Sequence, residues 1–395
     1  MKIAQFYISL ERCNGVYDAG EKLTGQVIFK LNKPLDVKRI YLHCEGKAKS
    51  HWDVNKDDSN KHYKATENYI NEIKILYDNG SGVAEFPAGS YVYPFMINLP
   101  KSIPSSFEGR KGYIRYLCKA YIDRNWKSEE AEHVFTVIHH LDLNNIPTAR
   151  EPSIIQKEES VESCCCEEGT VFLQLKIEKS GFVPGETINF TIDCHNNSTV
   201  DIGRVSLDLL QNVTYQGYSD SLFSSGSPKY HTKTTPLGLF ESGEGIESHK
   251  YTSLKRSVGL PAMPPSKLEG CSIITTEYEL SVSTLKADSG LSGSIGCNMF
   301  ILIGTVPVRM PVTHGPVIRR PESTVLSPDH INPIIKHLDA PPSYEECVLG
   351  TVGSKTDQGA SGASYDPTSS PSLAGASPVV TVQPSTQNAA FHLQD

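Results

Sequence analysis

No stretch of this 395-residue chain is apolar for long enough to span a bilayer. The opening residues, MKIAQFYISLERC, are interrupted by Gln5, Ser9, Glu11 and Arg12. They lack the unbroken apolar core and small-residue cleavage site of a secretory signal. Positive charge is also short: 37 Lys and Arg against 45 Asp and Glu leave a net −8, which disfavours a broad nucleic-acid-binding surface. Catalytic signatures are missing too, with no GxGxxG after a strand pattern, no P-loop, no GxSxG elbow and no HExxH. The expectation is a cytoplasmic, non-enzymatic protein that uses no cofactor, no metal and no small-molecule substrate.

Ten cysteines are present, but they do not recur as a pair in each half, as a disulfide-stapled extracellular sandwich would show. Cys44, Cys118 and Cys194 alternate in phase with apolar neighbours and read as small core residues. Cys164, Cys165 and Cys166 are adjacent, a spacing that points thiolates poorly at one ion. Acylation beside a membrane is the functional alternative for them; otherwise they are linker thiols. The sequons at Asn189, Asn196, Asn197 and Asn212 matter only in a secreted chain and read as ordinary strand and loop residues.

What is present is a repeat. Leu99–Gly109 reads LPKSIPSSFEG and Leu260–Gly270 reads LPAMPPSKLEG, so both fit LPxxxPSx(F/L)EG at an offset of 260 − 99 = 161 residues. Tyr17–Glu21 (YDAGE) is echoed by Phe182–Glu186 (FVPGE) at 185 − 20 = 165. Two signatures in the same order at nearly the same offset mean one domain written twice, far longer than a solenoid unit.

Both copies read as strands. Ile114, Tyr116, Cys118, Ala120 and Ile122 alternate with Arg115, Leu117, Lys119, Tyr121 and Asp123, the period of a half-buried strand. Val37–Gly46, Leu23–Lys30, Ile70–Tyr77, Tyr91–Leu99 and His133–His139 are further candidates. In the second copy Val171–Glu178, Thr187–Cys194 and Glu277–Val282 alternate, and Phe300–Gly304 is continuously apolar. No long amphipathic helix emerges. Many short alternating segments predict an all-β chain of antiparallel sheets packed face to face. Gly20 and Gly185 supply turns; Pro104 and Pro265 hold an extended connection. Lys56–Lys64 is polar enough to predict a loop, and His139-His140 reads as a solvated strand edge. The expected divisions are a first sandwich over 1–145, an inter-domain linker over 146–168, a second sandwich over 169–312 and a disordered tail over 313–395.

The tail holds Ala340-Pro341-Pro342-Ser343-Tyr344-Glu345-Glu346, a PPxY sequence. Two prolines pre-set the polyproline II conformation and Tyr344 follows at the spacing that places its ring in a neighbouring pocket, the pattern WW domains read. Ser327-Pro328, Ser370-Pro371 and Ser377-Pro378 are candidate proline-directed phosphorylation sites, a weak signal in such a tail.

GEKLTGQVIF (20–29), FEGRKGYIRYLCKAYIDR (107–124), GFVPGETINF (181–190), LEGCSIITTEYELSV (268–282), ILIGTVPV (301–308) and APPSYEE resemble the patterns of the α-arrestins, the arrestin domain-containing proteins. The resemblance implies two arrestin-type, immunoglobulin-like β-sandwiches in tandem, joined by a hinge. It implies an adaptor whose arrestin domains engage membrane-protein cargo such as receptors and transporters. Its PPxY tail would recruit a Nedd4-type HECT ubiquitin ligase, leading to ubiquitination, endocytosis and endosomal sorting. Peripheral association with the plasma membrane and endosomes follows from that role. The ligase-binding positions carried over are Pro341, Pro342 and Tyr344; Lys336 and Lys355 flank them as candidate ubiquitin acceptors. Many relatives have two PPxY motifs, whereas Tyr365 here lacks preceding prolines, so the avidity of linked motifs is absent. The alternatives are a ligase-independent arrestin-like trafficking or receptor-desensitisation scaffold and, more remotely, an extracellular adhesion sandwich.

Overall fold

Alternating apolar residues produce strands that must bury one face. In the computed structural model, which describes residues 2–56, 59–80, 82–124, 126–163, 166–219, 226–284, 295–309 and 380–381, they do so in two sandwiches. The first is built from β1 (Ile3–Leu10), β2 (Val16–Asp18), β3 (Lys22–Leu31), β4 (Leu35–Val37), β5 (Arg39–Lys56), β6 (Ser59–Asp78), β7 (Ala84–Phe86), β8 (Gly89–Asn98), β9 (Phe107–Gly109), β10 (Gly112–Asp123) and β11 (Ser128–Ile138). The second contains β12 (Ser153–Ser163), β13 (Cys166–Ile177), β14 (Gly181–Phe182), β15 (Thr187–Asn196), β16 (Val205–Ser219), β17 (Lys229–Glu241), β18 (Tyr251–Gly259), β19 (Ile274–Thr284) and β20 (Gly296–Ile303). Among the described residues there is no α-helix, only short 3₁₀ turns at Leu143–Asn145 and Pro147–Arg150. No helix among the described residues is long and apolar enough to cross a membrane.

Sheet β1-β3-β8 faces sheet β6-β5-β10-β11-β2 over the first core, and β12-β13-β15-β18 faces β16-β19-β20-β14 over the second. The last strand of each half returns parallel to a short early one, β11 to β2 and β20 to β14, which closes both copies alike. Cys44, Cys118 and Cys194 are buried as expected. Cys44 and Cys118 are cross-strand neighbours, and their mutual hydrogen bond, with burial, raises the Cys118 thiol far above the usual range. Burial alone pushes Cys194 up to about 12, so the Cys118 and Cys194 sulfurs remain protonated.

The repeated signatures are structural, and in each half they touch. Glu21 closes its turn by accepting from the Asp18 amide at 2.8 Å and from Arg12, whose guanidinium lies 5.1 Å from the Tyr17 ring centroid. Glu186 accepts from the Val183 amide at 3.0 Å and pairs with Lys179, which sits over Phe182 at the same 5.1 Å. The carbonyls of Glu21 and Glu186 then accept from Leu99 and Leu260, the first residues of the second signature, at 2.8 and 2.9 Å. Gly20 and Gly185 have φ of +89° and +80°, the left-handed region the turn requires. Further along, the Tyr116 phenol donates to the Pro104 carbonyl and the Tyr278 phenol to that of Pro264, each at 2.7 Å. Pro104 aligns with Pro265 by sequence, so the structural equivalence slips by one residue inside the motif.

Two expectations are corrected. Lys56–Lys64 is mostly strand: from Ser59 onward it pairs with β5 in a long hairpin, which holds because cross-strand bonding and the Trp52–Tyr63 stack at 5.4 Å replace a buried face. The stretch 146–168, expected to be a linker, carries β12, paired along its length with β13. Its Val161 is buried and Ile155 packs on the second core, while Lys157 and Glu158 face solvent from a sheet edge. The tail lies outside the described residues except for Val380–Thr381, which form β21 parallel to β8.

Candidate functional site

Pro341, Pro342 and Tyr344 lie outside the described residues, as do Lys336, Lys355, Cys164, Cys165 and the three Ser-Pro sites. Cys166 opens β13. What the described chain brings together instead is the seam between its halves, which no local pattern announces.

The seam begins with backbone. β16 pairs with β6 at Tyr218↔Lys64 and Ser219↔Tyr63, joining the two sandwiches into one continuous sheet. Trp52 stacks on His231 at 5.7 Å, and only glycine fits beneath it: a Cβ on Gly217 would lie 2.8 Å from the indole. Val213, Tyr215, Leu268, Ile273 and Ile274 of the second half are buried within the first core. The Glu67 carboxylate accepts from the Ser272 amide at 2.9 Å, the Ser272 hydroxyl at 3.1 Å and the Tyr69 phenol at 3.2 Å. Burial, with a hydrogen bond to Cys271, drives the Tyr69 phenol far above its ordinary value.

Here the two copies of the long signature meet. Gly270 abuts Ser102 and Pro104, and His139 spans them, with Nδ1 3.0 Å from the Ile103 carbonyl and Nε2 3.6 Å from Glu269. His140 stands 3.1 Å from Asp18 through Nε2 and 3.1 Å from Thr305 through Nδ1. His140 is exposed at the strand end, as expected, and His139 is half-buried; each ring nevertheless ties the first half to the second. Asn196, read from its sequon as an ordinary polar residue, is fully buried: its amide donates to the carbonyls of Val200, Ile246 and Glu247.

Alongside the seam runs a cavity of about 650 Å³ lined from both halves, with Phe107, Tyr215 and Pro264 as apolar walls. Arg115 is clamped by Glu108 at 2.5 and 2.8 Å and lies 4.0 Å from the Tyr113 ring centroid. Arg110 and Lys233 have no ion-pair partner among the described residues. No group of three His, Cys, Asp or Glu among the described residues converges to hold a metal. The arrangement offers shape and hydrogen bonding to a partner.

Two sandwiches, duplicated, share a sheet and a seam, and comparison with known proteins agrees with that plan. Family models for the arrestin (or S-antigen) N-terminal and C-terminal domains match residues 6–144 and 167–308. The chain belongs to the arrestin family. Its similarity to arrestin domain-containing proteins places it among the α-arrestins. Arrestin domain-containing protein 17 of Caenorhabditis elegans is 27% identical over 371 residues, covering 91% of this chain and 83% of the relative. Arrestin domain-containing protein 1 of Homo sapiens is 29% identical over 322 residues, covering 81% and 68%. Human arrestin domain-containing protein 5 is 24% identical over 327 residues, covering 80% and 92%. These relatives support an arrestin-like trafficking adaptor.

Proposed function

We propose that this α-arrestin is an adaptor linking membrane-protein cargo, such as receptors and transporters, to a WW-domain HECT ubiquitin ligase of the Nedd4 kind. The N-terminal sandwich (1–145) and the C-terminal sandwich, 169–312 together with β12 and the start of β13 from within 146–168, present the cargo surface, and the tail (313–395) presents the ligase motif. The observation that carries the reading is the single PPSY, Pro341 to Tyr344, following two arrestin domains in one chain. The two prolines lose little entropy on entering an aromatic groove, and the Tyr344 ring fills the adjoining pocket. Recruitment with cargo brings the chain from the cytoplasm to the plasma membrane and endosomes, where Lys336 and Lys355 stand near the motif as ubiquitin acceptors.

Titration of the full-length chain with an isolated WW-domain array tests this directly. Tyr344→Ala is expected to abolish binding while leaving the thermal melt unchanged. Equal affinity of the variant and the parent would sink the mechanism.

A further inference from the structure

β8 is an outer strand of its sheet, paired with β3 along its whole length on one side. Its other side offers backbone groups to a newcomer, and outer strands usually carry charge to prevent that. The long strands β6, β11, β12, β17 and β18, each with an open side, carry at least two Lys, Arg, Asp or Glu residues apiece. β8 reads GSYVYPFMIN, ten residues without a charge. β1 and β20 are uncharged too, but they lie against β11 and β12. β6 runs beside β8 without pairing with it. The one guard on β8 is Pro94, which has no N–H to give, so the unguarded run is Ser90–Tyr93.

We propose that this run is a strand-docking site and that its occupant is the chain's own Val379–Val382. Val380 and Thr381 pair with Tyr91 and Val92 in parallel. Continuing that register sets Val379 opposite Ser90 and Val382 opposite Tyr93. Pro378 then falls opposite Gly89, where β8 begins, and Gln383 opposite Pro94, where its donors lapse. Donor and acceptor are therefore the same length, each closed by proline. Val379–Val382 is the longest run of β-branched residues after Arg309, the side chains that suit a pleated strand. It lies within 367–394, which holds no Lys, Arg, Asp or Glu to oppose an uncharged edge. Arg309 is held by its amide to Asn144 at 2.9 Å, and 380 − 309 = 71 residues separate it from Val380. A flexible chain of that length spans about 45 Å on average, enough to reach β8. A run this short binds weakly between separate molecules, and tethering supplies the effective concentration that strand addition needs.

One consequence rests on the proposed function. Tyr344 lies 344 − 309 = 35 residues from one anchor and 380 − 344 = 36 from the other. The PPSY motif is then carried at the midpoint of a loop fixed at both ends, where a WW domain reaches it without dislodging the docked strand.

Hydrogen–deuterium exchange of the full chain tests the docking. After correction for intrinsic rates, 378–384 is expected to exchange about threefold or more slower than 367–376. Thr381→Pro removes a backbone donor from the docked run. It is expected to erase that difference and to speed exchange over 89–94, with the thermal melt unchanged. Val380→Lys/Val382→Lys keeps every donor, places charge on the edge and is expected to act in the same direction. Ala374→Pro, outside the run, is expected to exchange like the parent. Equal exchange over 378–384 and 367–376 in the parent, or exchange over 89–94 that ignores both variants, would overturn the inference. Tyr344→Ala is expected to leave all these rates unchanged. A WW affinity indifferent to Tyr344 refutes the ligase reading and leaves the docking standing.

Discussion

Gly270 approaches Ser102 so closely that a Cβ at position 270 would lie 2.3 Å from the Ser102 carbonyl oxygen. These residues belong to different copies of one motif, and their contact shows that the duplicated punctuation serves twice. Within each half it shapes a turn; between halves it is part of the joint.

Substituting Gly270 by Ala strains the joint in two ways. The residue sits at φ +94°, and the new methyl group meets backbone that cannot swing aside. The expected loss is about 1–3 kcal/mol, read as a lower denaturation midpoint. Gly80→Ala, whose added Cβ has open space around it but whose φ is also positive, separates the conformational cost from the clash.

Acid sensitivity follows from Glu21. The Asp18 amide, more than the Arg12 guanidinium, holds its carboxyl below the ordinary range. A depressed carboxylate stabilises the fold above its unfolded value, about 4.3, and that contribution disappears as pH falls through the folded value. Thermal melts of the parent and Glu21→Gln are expected to differ by about 1 kcal/mol at neutral pH and to converge below about pH 4. A constant gap across that window would exclude this origin.

Asn196→Asp tests the buried amide. The replacement turns a donor facing three carbonyl oxygens into a fourth oxygen with no solvent to relieve it. A loss of about 3 kcal/mol or more is expected in chemical denaturation, several times that of a surface substitution.

Much of this architecture is legible from side-chain periodicity. Strand β10 is an example: every second residue from Ile114 to Ile122 is fully buried, as its alternation requires. The duplication was readable because turn chemistry at Gly20 and Gly185, and the prolines after Leu99 and Leu260, recur at one spacing. β12 escaped detection because an edge strand may carry Lys157-Glu158-Glu159 on its open side without penalty. Only the distal part of the β5–β6 hairpin escaped, because it leaves the core and keeps no apolar alternation. The roles of His139, His140 and Glu67 depend on partners 122 to 205 positions away or on the opposite copy, beyond any local window. Even the repeat misleads in one detail: matching Pro104 to Pro265 by letters hides that the tyrosines choose Pro104 and Pro264.

Tyr215 and Ile274 belong by chain order to the second sandwich, yet they help fill the first. Any attempt to express either half by itself would therefore leave a hollow in one piece and an orphaned greasy knob on the other. The pair must be handled, engineered and inherited as a single indivisible body.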